Sequence, residues 1–347
     1  MSFGHGAAAT DAQHVTVEFV HPVIVGKRAL PAIDLGPDFE ARLQVLLRPE
    51  DMVMGFSSGG QDEDVAQALR MSRERGALTF ALTGEGAEYA FAPPDEDPFV
   101  SQEIMEVLYH VLWETVHVYF EHREQGHDVG ASSFLYPFLG REEQPLERVI
   151  EQVQSSMLQK TRELEGIRSE LAETEGETLY RVATDICERL EQGGKLITFG
   201  NGGSATDAND LAIDCVAPST GLRPIPALSL STEPATITAI ANDVGSDVIF
   251  TRQLIAQSRP EDIAVGISTS GSSPNILAAL SEARRHGLLT VGIAGYDGGK
   301  VAAEALADHV LVVRSDYIPR IQEAQASAYH VLRRHIDELL GADRVHA

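Results

Sequence analysis

Residues 3–18 read FGHGAAATDAQHVTVE and residues 199–214 read FGNGGSATDANDLAID. Seven of the sixteen positions coincide at a single offset of 196: Phe3/Phe199, Gly4/Gly200, Gly6/Gly202, Ala9/Ala205, Thr10/Thr206, Asp11/Asp207 and Ala12/Ala208. Two further matches follow in the same order. RPEDMVMGFSSGG (48–60) and ALTFALTG (77–84) align with RPEDIAVGISTSG (259–271) and LLTVGIAG (288–295) at an offset of 211, and SQEIMEVLYH (101–110) aligns with IQEAQASAYH (321–330) at 220. Collinear matches of this kind mark an internal duplication. The widening offset says that the first copy is shorter by about 15 and then by about 9 residues, as expected of trimmed loops.

Within each copy short apolar runs of β type alternate with glycine-rich turns and helical patterns. In the second, KLITFG, PIPALSLS, DIAVGIS, LLTVGIA and HVLVVRS are separated by stretches such as SPNILAALSEARRHG and IQEAQASAYHVLRRHIDELL. That alternation predicts an α/β fold with a parallel sheet between two helical layers, which binds ligands at the carboxyl ends of its strands. The expected organisation is a first copy at 1–125, a Gly/Ser/Pro-rich linker at 126–145, an amphipathic connecting helix at 146–170 and a second copy at 171–347. The helix rests on Leu146, Val149, Ile150, Val153, Met157, Leu164, Ile167 and Leu171. The first copy begins almost at its glycine turn, which leaves no residues for an opening strand or a helix before it; either the copy is truncated or the true start lies upstream.

The bulk properties of the 347 residues narrow the function classes. A hydrophobic fraction of 43% with 23% charged residues is that of a globular protein, and no run approaches the ~20 apolar residues that span a bilayer. The start MSFGHGAAAT lacks the regions of a signal peptide, so the expected location is the cytoplasm. A net charge of −25 repels a nucleic-acid backbone, which argues against direct nucleic-acid binding. Cys187 and Cys215 lie in apolar helical patterns and read as buried thiols.

Two segments can hold an anion. Gly200-Asn201-Gly202-Gly203-Ser204 follows a strand and opens a helix, and Ser268-Thr269-Ser270-Gly271-Ser272-Ser273 does the same with Pro274 suited to the first helical position. GNGGSATDA, TAIANDVG, GISTSGSSPN, GYDGGK and RIQEAQ resemble, in order and spacing, the pattern of the phosphoheptose isomerases of the sugar isomerase (SIS) family over about residues 170–345. The resemblance implies two SIS-type three-layer α/β/α domains joined as a tandem pseudo-dimer. It also implies a phosphate site at Asn201, Ser204, Ser268, Thr269, Ser270 and Ser273, and substrate contacts at Asn242, Asp243 and Gln322.

The family interconverts a 2-ketose phosphate, sedoheptulose 7-phosphate, and an aldose phosphate. Such an isomerisation through an enediol needs a base, an acid and a group that polarises the carbonyl. The resemblance assigns these roles to a His-x-x-x-Glu helix and a Gln-x7-His helix, whose four groups bind zinc in some members; it implies no nucleotide cofactor. The first copy holds all four, His14, Glu18, Gln102 and His110, and the i, i+4 spacing puts His14 and Glu18 on one helical face. His110 equally suits a core histidine, and an isolated HxxxE helix equally suits a surface pair. The second copy has Asp210 and Asp214 in place of the first pair and keeps Gln322 and His330. Asp214 is a methylene shorter than glutamate, and Asp210 is a poorer zinc ligand than imidazole.

The first copy departs where the second is intact. Ala8 stands in place of Ser204, and its serine loop reads Ser57-Ser58-Gly59-Gly60-Gln61-Asp62, with Asp62 at the position of Ser273. A carboxylate there opposes a phosphate. Two readings stay open: complementary halves of a composite site, with catalytic groups drawn from Glu18, His110, Asp214 and His330, or degeneration of one copy into scaffold. The leading activity is aldose–ketose isomerisation of a sugar phosphate. SIS units also serve as noncatalytic sugar-phosphate sensors or assembly proteins, which is the alternative. The long helix makes a homo-oligomer of the fused pseudo-dimer the expected assembly.

Overall fold

The computed structural model describes residues 1–22, 27–57, 62–92, 95–124, 146–218 and 221–342. The expected linker at 126–145 and residues 58–61 of the first serine loop lie outside these. The chain forms two compact units, Met1–Glu96 with Val100–Gly166, and Asp97–Phe99 with Ile167–Ala347.

The first unit contains β1 (Ser2–Gly4), α1 (Ala8–Val20), α2 (Phe39–Leu46), β2 (Met52–Phe56), α3 (Glu63–Glu74), β3 (Leu78–Leu82), β4 (Tyr89–Phe91) and most of α4 (Pro98–Glu124). Its sheet is parallel in the order β1-β2-β3-β4. One face packs Phe3, Val53 and Ala81 against Phe39 and Leu43 of α2 and Val65 and Leu69 of α3. The other packs Met54, Phe56 and Leu82 against Ala12 and Val15 of α1 and Met105 and Tyr109 of α4. Three layers result, as the alternation of strand and helix requires.

The helix α5 (Leu146–Glu191) leads into the second unit. There follow β5 (Leu196–Phe199), α6 (Gly203–Val216), β6 (Ala227–Ser229), α7 (Pro234–Asp243), α8 (Ile249–Gln257), β7 (Ile263–Ser268), α9 (Pro274–Arg285), β8 (Leu289–Gly295), α10 (Gly299–Ala303), β9 (His309–Val313) and α11 (Ile318–Ala342). The sheet is again parallel, in the order β6-β5-β7-β8-β9. Every residue of β7 and β8 is buried, the mark of a sheet covered on both faces. Leu179, Val182 and Ile186 of α5 fill one face together with α6 and α11, and α8 and α9 fill the other.

The duplication is exact down to strand register. The cross-strand row Phe3, Gly55, Ala81, Ala90 of the first sheet has as its counterpart Phe199, Gly266, Gly292, Val310 in the second. These pairs reproduce the three sequence offsets in turn. Because a slip of one residue would turn every side chain to the other face, shared register means shared cores. The edge strand β6 has no full counterpart: a single parallel bridge, Ser2 to Asp34, stands where β6 pairs with β5.

Two expectations change. The first copy does have its opening strand: β1 is three residues long, and pairing with β2 makes so short a run a strand. The connecting helix does not stop at 170, since α5 runs unbroken for 46 residues. Its buried positions Val153, Lys160, Leu164, Leu171, Glu175 and Leu179 continue one stripe through the expected end. Where Leu179–Ile186 cover the second sheet, the first unit instead has an apolar cavity of about 470 Å³ whose lining includes Val15, Phe19, Met54 and Val116. Both cysteines are buried thiols outside any disulfide, and burial pushes the Cys215 thiol up to about 12. No helix among the described residues is long and apolar enough to cross a membrane.

Candidate functional site

The glycine turn of each unit sits at the carboxyl end of its first strand. A Cβ on Gly200 would lie 2.1 Å from the Ser204 carbonyl oxygen, and one on Gly4 would lie 2.6 Å from that of Ala8. Only glycine permits this approach of turn to helix. In the second unit Ser204 is buried in the first turn of α6, and Asn201 lies exposed in the turn before it. The serine loop joins β7 to α9. Ser268 Oγ accepts from the Gly271 N–H at 3.2 Å and lies 3.4 Å from Ser273 Oγ. Ser270 Oγ accepts from the Ser272 N–H at 3.2 Å, and Ser272 Oγ from the Lys300 N–H at 3.1 Å. The Thr269 carbonyl accepts from Gly295.

Asn201 and Asn275 lock the two loops together through reciprocal amide hydrogen bonds of 2.9 and 2.8 Å. The amino ends of α6 and α9 are thereby held side by side. Ser273, the N-cap of α9, makes no side-chain capping bond, and its carbonyl accepts from the N–H groups of Ile276 and Leu277; several hydroxyls gather there at a helix N-terminus, where an anion is favoured. Asn275 escaped the sequence reading; its place two residues past Ser273, in the first turn, was the available signal.

The first unit closes the same place with its own atoms. His5, Asp62 and Asp64 stand at the positions of Asn201, Ser273 and Asn275. Asp62 caps α3, its Oδ1 accepting from the N–H groups of Asp64 and Val65 at 3.1 Å each, and its Oδ2 lies 2.8 Å from His5 Nδ1. A carboxylate occupies the helix N-terminus that is left open in the second unit.

The expected acid–base groups do converge. In the first unit His14 Nε2 is 3.4 Å from His110 Nε2 and 3.9 Å from Glu18 Oε1, and all three residues are buried. Neither carboxylate oxygen of Glu18 has a hydrogen-bond partner among the described residues. Burial, and secondarily the charge of Glu114, pushes its pKa up to about 8. Gln102 lies two turns before His110 on α4 and is half-buried. Two ligand nitrogens about 2.0–2.1 Å from a tetrahedral centre stand roughly 3.3 Å apart. The imidazole separation matches, and with the unsatisfied Glu18 carboxylate these buried groups form a donor set that can hold a metal ion.

In the second unit Asp210, Asp214 and His330 form the corresponding buried group. His330 Nε2 lies 3.5 Å from Asp214 Oδ2 and 3.6 Å from Asp210 Oδ2, and Tyr329 Oη donates to Asp210 at 2.9 Å. The shorter side chains do not break the constellation. Asp214 is pushed up to about 6, first by burial and next by the charge of Asp210. Phe99 stacks on the His330 ring with centroids 4.3 Å apart, and the guanidinium of Arg334, paired with Asp97, lies over the Phe99 ring at 5.0 Å from its centroid. Gln322 is buried. Asn242 and Asp243 are exposed at the end of α7 and bond to each other, Nδ2 to Oδ1 at 2.7 Å.

Comparison with known proteins decides the family. Residues 161–295 match the SIS domain. The phosphoheptose isomerase of Paramagnetospirillum magneticum is 46% identical over 157 residues, which cover 45% of this chain and 81% of that protein. The chain belongs to the phosphoheptose isomerase family of SIS-domain proteins. A family member from Aquifex aeolicus is 37% identical over 180 residues, 52% of this chain and 93% of that protein. The solved phosphoheptose isomerase from Neisseria gonorrhoeae has a TM-score of 0.50 at 31% identity, covering 54% of this chain and 99% of its own. Each of these relatives thus corresponds to about half of this family member. The fold over the whole length is shared with the C-terminal domain of glucosamine-fructose-6-phosphate aminotransferase from Francisella tularensis, at a TM-score of 0.66 and 10% identity over 98% of this chain and 84% of that one.

Proposed function

We propose that this family member is an aldose–ketose isomerase acting on a sugar phosphate such as sedoheptulose 7-phosphate. The observation that carries the reading is the Asn201–Asn275 lock, which ties the glycine turn that opens α6 to the first turn of α9 after the serine loop. There the phosphate accepts from backbone N–H groups and from Ser204, Ser268, Thr269, Ser270 and Ser273, which anchors the sugar and spends binding energy on orienting its C1–C2 end. Proton transfer between C1 and C2 then needs a carboxylate that ionises near neutral pH and an acid beside it. Asp214, at about 6, and His330 meet that requirement in the second unit; Glu18 and His110 are the corresponding pair in the first. Zinc held by His14, Glu18, Gln102 and His110 would supply a Lewis acid to the first unit's cluster.

Incubating the purified chain with sedoheptulose 7-phosphate, with and without zinc, and following aldose formation by NMR tests the proposal. Aldose appears with enzyme alone or on adding zinc; a ketose signal unchanged in both arms refutes an isomerase of this substrate. The stacking of Phe99 over His330 favours a second reading. An imidazole covered on one face suits a unit that binds sugar phosphate without turning it over. Saturable binding with no exchange of the C1 and C2 hydrogens into deuterated water would select it.

A further inference from the structure

His14 and Glu18 are one turn apart on α1, and His110 and Glu114 one turn apart on α4. The two helices therefore meet as an imidazole layer above a carboxylate layer, with the histidines in contact and the Glu114 charge acting on Glu18. Three of these four residues belong to the cluster described above; Glu114 does not. It is 1% exposed, and its Oε2 accepts from the ammonium group of Lys160, itself 7% exposed, which reaches in from the N-terminal part of α5. All of these residues belong to the first unit.

Burying a lysine and a glutamate is rare, and such a pair adds little stability over apolar residues of the same size. Its position is what calls for a role. Trp113, next to Glu114, donates its indole N–H to the Glu18 carbonyl at 2.7 Å, which fixes the two carboxylate-bearing turns against each other. In the second unit the position of Glu114 is taken by Arg334, which turns to Asp97. Among the described residues, the Glu114–Lys160 pair has no counterpart in the second unit, where Arg334 takes the place of Glu114.

We propose that Lys160 is a positioning residue of the first unit's cluster: by holding Glu114 back it leaves His14, Glu18 and His110 to face a divalent cation, and it balances the second carboxylate. This rests on the metal reading of that cluster. Without Lys160, Glu114 is an extra anion beside the cation and binding tightens. Without Glu114, the positive charge of the ammonium group is no longer offset by that carboxylate beside the cation and binding weakens.

The test uses the full chain stripped of metal and titrated with zinc against a chromophoric chelator. Charge changes in the outer shell of a metal site alter affinity about 10–100-fold, so Lys160→Met should raise zinc affinity about tenfold, Glu114→Gln should lower it about tenfold, and the double variant should lie within about threefold of the parent, as a charge pair requires. Cobalt(II) absorption should change in Lys160→Met and be retained in Lys160→Arg. Should Lys160→Met not fold, Glu114→Gln and the double variant carry the same test of sign. Affinities of folded variants within about twofold of the parent, or equal weakening in both single variants, would overturn the role of Lys160 alone. A parent chain with no zinc affinity, or one unaffected by His14→Ala, would overturn the metal reading and this inference together.

Discussion

The amino ends of α3 and α9 occupy the same place in their respective units, follow strands in the same register and begin after loops of common ancestry, yet one is capped and the other is open. Asp62 fills the first with its own carboxylate, bonded to two backbone N–H groups and to His5. Ser273 makes no such bond in the second, where the Asn201–Asn275 pair holds the two loops together and where the proposed phosphate would sit. The comparison teaches that a helix N-terminus can gain or lose a side-chain carboxylate cap without disturbing the fold, because the cap meets backbone donors that the helix leaves over. The acid–base clusters diverge in the other direction, His14, Glu18 and His110 against Asp210, Asp214 and His330.

The largest effect that can break this comparison comes from the clusters. General acid–base groups contribute about 10²- to 10⁴-fold to turnover, so Asp214→Asn and His330→Ala should each cut kcat by that order if the second unit performs the chemistry, and Glu18→Gln with His110→Ala if the first does. Steady-state rates of the four variants, with folding checked by circular dichroism, assign the work. Four variants with undiminished rates would remove both clusters from the mechanism.

A smaller effect sharpens the contrast in Asp214. Its folded pKa, about 6, is raised above the ordinary aspartate value of 3.8 mainly by burial. A raised carboxyl favours the protonated fold, so its contribution to stability is full below the unfolded pKa and is lost as pH rises through about 6. In the metal-free chain Asp214→Asn removes that loss. The variant should match the parent near pH 4 and exceed it by on the order of 2–3 kcal/mol at pH 7, read from denaturant midpoints at each pH. A gap that is independent of pH would contradict the buried, charged Asp214.

The smallest effect separates the two loops. Asp62→Ala removes an N-cap and should cost about 1 kcal/mol of stability with no change in KM. Asn275→Ala should instead raise KM about tenfold, about 1.4 kcal/mol of lost binding, with kcat nearly unchanged. Equal effects on KM from both substitutions would mean that the loops are not differentiated.

The sheets were legible because apolar β-type runs recur at three offsets, and those offsets reappear as strand register. The serine and glycine loops were legible because their residues are consecutive. What the sequence hid depends on partners far along the chain. The three residues Ser2–Gly4 do not read as a strand until β2 lies beside them. The end of α5 was misplaced because Glu175 interrupts the apolar stripe just beyond 170, and its burial depends on a partner on a distant element, Arg314. Lys160 and Glu114, 46 residues apart, have no shared pattern that would pair them. Asp62 was read as hostile to phosphate, whereas its role as the cap of α3 appears only in the geometry.

The central claim is that two copies of one unit have divided, one keeping an open anion cradle and the other closing its own. Calorimetric titration of the full chain with sedoheptulose 7-phosphate tests it most directly. The account predicts one binding site per chain, abolished by replacing Ser268 and Ser270 with alanine and left intact by Asp62→Ala. Two equivalent sites per chain, or a single site that survives the serine substitutions, would contradict it.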